Sequence, residues 1–162
     1  MQKVIIATIQ FLVCLSAYGQ NDIIKEVLEK NLAGKEFYFD SSTTKDGLDK
    51  IYIKFLGEIK TFAGRKYKIL TWKRVWGSNK HTTGVVFVFS SKNEFVGKYY
   101  LGSSFELPDK IEDSNLIFTN KGKPDCETNL ITKVSFCKGL PKEFFLKCKG
   151  EYGDVYTLSQ GK

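Results

Sequence analysis

One histidine, one methionine, two arginines and three prolines occur in 162 residues, and each shortage excludes something. With His81 alone, any Ser-His-Asp triad or Cys–His pair would have to be built on that residue. It lies in a polar stretch, Ser78 to Thr82, that reads as a solvated turn. No G-x-S-x-G elbow, phosphate-binding glycine loop or H-E-x-x-H pair occurs, so the common catalytic signatures are missing. Arg65 and Arg74 are the only guanidinium groups. Specific reading of nucleic acid relies on that planar fork, so a nucleic-acid partner is not expected. There is no low-complexity tract, the N-terminal apolar run is short for a bilayer, and no other segment approaches about 18 apolar residues, so no transmembrane helix is expected.

What the chain does have is bulk and charge. Hydrophobic residues make up 42%, charged residues 27%, and the net charge is +7. A chain of this length can bury roughly two-thirds of its unfolded surface, which suits one domain with a real core. Thirteen Phe and eight Tyr favour sheet over helix.

Residues 1–19 have the order of an export signal. Lys3 is the positive start, Val4 to Ala17 the apolar stretch, and Ala17-Tyr18-Gly19 the small-residue cleavage site before Gln20. The expected division is therefore a signal peptide, 1–19, and one β-rich domain, 20–162. Cys14 offers lipoprotein anchoring as a lesser alternative, since the residues before it make a poor lipobox and apolar sequence follows it. Cleavage removes one basic residue and leaves 24 basic against 18 acidic, a net +6. The expected location is periplasmic or extracellular. A lysine-rich surface there suits solubility or an acidic glycan, lipid headgroup or protein.

Export implies an oxidising compartment, and Cys126, Cys137 and Cys148 remain after cleavage. Cys126 and Cys137 sit about 30 Å or more apart if the stretch between them is extended, far beyond disulfide reach. The least strained pair is Cys126–Cys148, closing a hairpin of Thr128 to Cys137 with Lys142 to Cys148 through Gly139-Leu140-Pro141. Cys137 is left free, and a weak dimer through it is an alternative to a monomer. Three Cys at eleven-residue spacing with one distant His match no zinc pattern, and no cofactor is expected. The acids Asp109, Glu112 and Asp113, with Lys110 among them, read as a solvated loop.

One helix is expected, Asn21 to Leu32. Ile23, Ile24, Val27, Leu28 and Leu32 share a face, Asn21 is the expected N-cap, and Gly34 stops the run. After it, period-two patterns predict about nine short strands with short connections. The fold class is mostly β (α+β): one N-terminal helix, then an antiparallel meander, barrel- or sandwich-like. The longest connection is Gly102 to Asn115.

The constellation most suggestive of recognition is Trp72, Arg74 and Trp76. Alternation puts all three on one face of a strand, and Tyr99 on a following strand is expected to extend that surface. The competing reading is that the indoles are core. Function is therefore expected to be that of an exported, non-catalytic binding module, such as an inhibitor or immunity-type protein, for a partner protein or envelope glycan. The alternative is a β-barrel carrier of a small ligand.

Overall fold

The computed structural model describes residues 19–42 and 47–160. The expected signal peptide therefore lies outside the described residues, except for Gly19. Helix α1 runs Gln20–Lys30. Its N-cap is Gly19 rather than Asn21, because the Asp22 carboxylate accepts the Gly19 N–H at 3.1 Å. Asn31, in the left-handed region at φ 50°, ends it.

Ten strands follow: β1 Glu36–Asp40, β2 Asp49–Lys60, β3 Lys66–Trp76, β4 His81–Ser90 and β5 Phe95–Tyr100. Then come β6 Lys110–Glu112, β7 Asn115–Thr119, β8 Ile131–Ser135, β9 Glu143–Lys149 and β10 Tyr152–Gln160. Every pairing is antiparallel. One sheet has seven strands in the order β1-β2-β3-β4-β5-β10-β9, and the other has three, β6-β7-β8. Neither closes into a barrel. The mostly β class and the single helix agree with expectation. A plain meander holds only through β5. Residues 101–142 then leave to build the small sheet, and the chain returns with β10, not β6, beside β5.

Alternation decides what each face of the large sheet meets. On one side, Ile23, Ile24, Val27 and Leu28 of α1 pack on Ile53, Phe55, Leu70, Trp72, Val85, Phe87 and Phe89. On the other, Ile59, Tyr67, Ile69, Val86, Val88 and Tyr99 meet Leu116, Phe118 and Val134 of the small sheet, with Phe136, Phe144 and Leu146. The run Val85 to Phe89 is apolar without interruption because β4 is covered on both faces. Strand β2 serves both cores through a bulge. Phe55 pairs with Leu70 and Gly57 with Ile69, so Leu56 is extra and Ile59 turns to the small-sheet side. Gly57 sits at φ +131°, a conformation that a side chain rarely adopts.

The Cys126–Cys148 disulfide is formed, with its Cα atoms 4.5 Å apart. Its setting differs from the expected hairpin. β8 pairs with β7 and β9 with β10, so Gly139-Leu140-Pro141 passes the chain from the small sheet to the large one. The bond therefore ties the loop after β7 to the edge strand of the large sheet. Beside it, the buried Asn120 amide donates to the carbonyls of Glu127, Lys147 and Cys148 at 3.0, 3.1 and 3.2 Å. Glu127 N–H donates to Cys148 O at 2.8 Å, which covers this edge of the sheet. No helix among the described residues is long and apolar enough to cross a membrane.

Candidate functional site

The site follows from a mismatch in length. Strand β3 has 11 residues and β2 has 12. At about 3.3 Å per residue an 11-residue strand spans about 36 Å. An 11-residue helix is only about 16 Å long, so α1 cannot cover such strands from end to end. The three-stranded sheet, with strands of three to five residues, cannot either. Beyond Trp72 on β3, before Ile53 on β2 and before Gly84 on β4, the large sheet runs out past both cores. Residues there change from buried to half-buried or exposed.

Helix-side residues at this end include the predicted strip. Trp72, Arg74 and Trp76 do share a face, but their surroundings grade from core to solvent. Trp72 is 5% exposed and packs edge-on against Phe87, so it is a core residue. Its rim, with Arg74, Ile23, Phe39 and Ile51, lines a cleft of about 610 Å³ between α1 and the first three strands. The Arg74 guanidinium donates twice, Nε to Asp49 Oδ1 and Nη2 to Oδ2, both at 2.8 Å. That fork holds the Asp49 carboxyl below its ordinary range and the guanidinium above its own. Trp76 is 44% exposed and lies against His81, with ring centroids 5.0 Å apart. His81 opens β4 rather than sitting in the turn.

Tyr99 does not extend this surface. It pairs with Val86 on the small-sheet side, is fully buried, and its hydroxyl donates to Pro141 O at 2.6 Å. Burial pushes that phenol up from its usual range. The parity of its strand, not its distance along the chain, set its side.

The opposite face of the same end carries a row that the sequence reading passed over. Lys73, Tyr52 and Tyr38 stand directly across β3, β2 and β1. The tyrosine rings lie 5.1 Å apart, and the Lys73 ammonium sits 4.6 Å from the Tyr52 centroid. Lys50 reaches the Tyr38 ring at 5.7 Å and stands opposite Asp40. Asp40 accepts the Ser42 N–H at 2.9 Å and the Tyr38 hydroxyl. Hydrogen bonds from Ser42 first and Tyr38 second hold its carboxyl down at about 2, and Tyr38 is pushed up in return. Lys73 has no carboxylate partner among the described residues. The available signal was phase: Phe37-Tyr38-Phe39 and Ile51-Tyr52-Ile53 each put a tyrosine at the outward position between two inward apolar residues.

Glu112 is held below its ordinary range by Lys110 at 3.1 Å, with Lys133 at 3.6 Å. Among the described residues no three His, Cys, Asp or Glu stand close enough to hold a metal ion. Cys137 is a free, half-buried thiol. Comparisons with protein-family models, with curated proteins and with solved structures find no match for this chain.

Proposed function

We propose that this chain is an exported, non-catalytic binding module. It holds an acidic envelope glycan, or the acidic face of a partner protein, on the uncovered end of its large sheet. The observation that carries this reading is the Lys73–Tyr52–Tyr38 row, an ammonium, a half-buried ring and an exposed ring fixed by strand register. Aromatic faces stack on the C–H faces of sugars, and a lysine without a carboxylate supplies the charge that an acidic partner needs. Trp76 and Arg74 offer a second aromatic–basic pair on the reverse face. The disulfide supports export, because such bonds persist in oxidising compartments. The signal-like residues 1–19 support it too, and Gly19 is both the last residue of that segment and the helix N-cap.

An open pair of sheets gives no barrel interior, so a carried small ligand would need another place on the molecule. The test of the binding reading is capture from envelope and culture-medium fractions by the purified, oxidised protein. A Tyr38→Ala/Tyr52→Ala/Lys73→Ala variant runs beside it, with folding checked by near-ultraviolet circular dichroism. The expected result is one glycan or protein held by the wild type, released by salt, and not held by the folded variant. Equal capture by both proteins removes the row from the account.

A further inference from the structure

At the other end of β3 from Trp76 the molecule carries a second concavity. It is a groove of about 610 Å³ between α1, β4, β5 and the end of β10. Its floor is aromatic. Phe87, Phe89 and Phe95 touch one another, with ring centroids 5.7 to 6.3 Å apart, and Ile24 and Leu28 of α1 form the wall. Phe95 is the half-open member of that trio, while Phe87 and Phe89 are buried beneath it.

Among the described residues the charged side chains that line it are basic, Lys25 and Lys98. Lys25 has Glu29 beside it at 3.9 Å, which leaves Lys98 as the lining cation without a carboxylate. Lys98 stands directly across from Phe87. Lys68, across from Phe89, is only 8% exposed, and its ammonium donates to Asn93 Oδ1 at 2.8 Å. Asn93 is itself part of the lining. An ammonium has three N–H donors, and among the described residues Asn93 Oδ1 is the one acceptor that Lys68 meets. Among the described residues Lys68 has no carboxylate partner. An anion brought to Asn93 and Lys98 would supply that charge.

We infer that this groove binds a free, single-chain alkyl carboxylate of the fatty-acid class. Its chain lies over the Phe87–Phe89–Phe95 floor and its carboxylate faces Lys98 and the Lys68–Asn93 pair. The volume falls in the range of ligand clefts, about 300–1,000 Å³. An alkyl chain matches a floor of rings flanked by Ile and Leu. Lys98 on the rim selects the sign of the head. The site is separate from the sheet-end surface, and neither assignment needs the other.

The test is a calorimetric titration of the full chain with straight-chain carboxylates from octanoate to tetradecanoate, each below its micelle concentration. Affinity should rise about fourfold per added methylene until the groove is filled. An alkyltrimethylammonium of equal chain length should bind at least about tenfold more weakly, because it meets the same floor with the wrong charge. Lys98→Glu, at an exposed position, should weaken carboxylate binding about tenfold and leave the ammonium unchanged or improved. Phe95→Ala should flatten the chain-length dependence. The inference is overturned by equal binding of both head charges, by affinity independent of chain length, or by no binding of any member. Binding to anionic vesicles that dodecanoate does not displace would assign the groove to a membrane surface instead, and also overturns it.

Discussion

The inner and outer halves of β2, β3 and β4 share one hydrogen-bonded ladder but differ in what their side chains meet. On β3, Tyr67 to Trp72 lie between the helix and the small sheet, while Lys73 to Trp76 have solvent on both sides. The backbone pairing is equally regular in both halves, from Tyr67 opposite Ser90 to Trp76 opposite His81. Ladder hydrogen bonds therefore do not distinguish a core from a surface here; the covering layers do. In the inner half of β3 both faces are buried, and apart from Lys68 and Thr71 the positions from Tyr67 to Trp72 are aliphatic or aromatic. The outer half carries Lys73, Arg74, Trp76 and Tyr52, residues that tolerate water at one end and a partner at the other, together with Val75 and Ile51.

The largest expected effect tests the inner half. Trp72→Ala should cost about 3–5 kcal/mol in a urea titration, and Leu70→Ala about 2–5 kcal/mol, because each leaves a cavity between α1 and the sheet. Trp76→Ala, four residues on, should cost less than about 1 kcal/mol. If the two tryptophan variants lose equal stability, the halves are not different environments.

Next comes the bond between the layers. Replacing both cysteines, Cys126→Ser/Cys148→Ser, releases a loop with a sequence separation of 22. On the loop-entropy account this lowers stability by about 3 kcal/mol. The loss should appear as a shift in the urea midpoint. Trp76 fluorescence in the folded protein should not move, since the outer end lies away from the covered β9 edge.

The smallest effect sharpens the outer half by acid. Asp40 and Asp49 both have carboxyls held below their ordinary range in the folded protein. A depressed carboxyl contributes stability that is complete above its unfolded value and is lost as pH falls through the folded one. The outer end should thus hold firm down to about pH 4 and loosen as pH falls towards 2. Exchange of the Ser42 amide should accelerate in that window, before the amides of Ile69 or Val86 do. Asp49→Asn at neutral pH should cost under about 1 kcal/mol, because the Arg74 fork is solvent-exposed.

Much of this division was legible in the sequence. Apolar spacing gave the helix within two residues, and alternation placed Trp72, Arg74 and Trp76 on one face. Chain reach excluded Cys126–Cys137, and the choice of Cys126–Cys148 over Cys137–Cys148 leaned on a hairpin that does not form, although that bond does. The misreadings share a cause, which is that depth beneath a covering layer is not a local property. Trp72 and Trp76 have the same parity and opposite fates, because Trp72 belongs to the core beneath α1 and Trp76 does not. Tyr99 was credited to the wrong face because the bulge at Val96 resets the parity of β5 relative to β4. The small sheet went unseen because Lys110–Glu112 is three residues long, too short to show a period. The Tyr38–Tyr52 pair depends on the β1–β2 register, which no single strand reveals.

The most direct test of the central claim is calorimetric titration of the folded protein with polygalacturonate, a polymer that joins sugar rings to carboxylates. Wild type and Tyr38→Ala/Tyr52→Ala/Lys73→Ala are compared at low salt, with urea midpoints measured on the same samples. Wild type should bind in a salt-sensitive way and the variant at least tenfold more weakly, with a midpoint lowered only by the loss of cross-strand pairs worth roughly 0.2–1 kcal/mol each. Absence of binding by wild type, or equal binding by a variant that remains folded, would contradict it. So would collapse of the variant's fold, which would make the row part of the core.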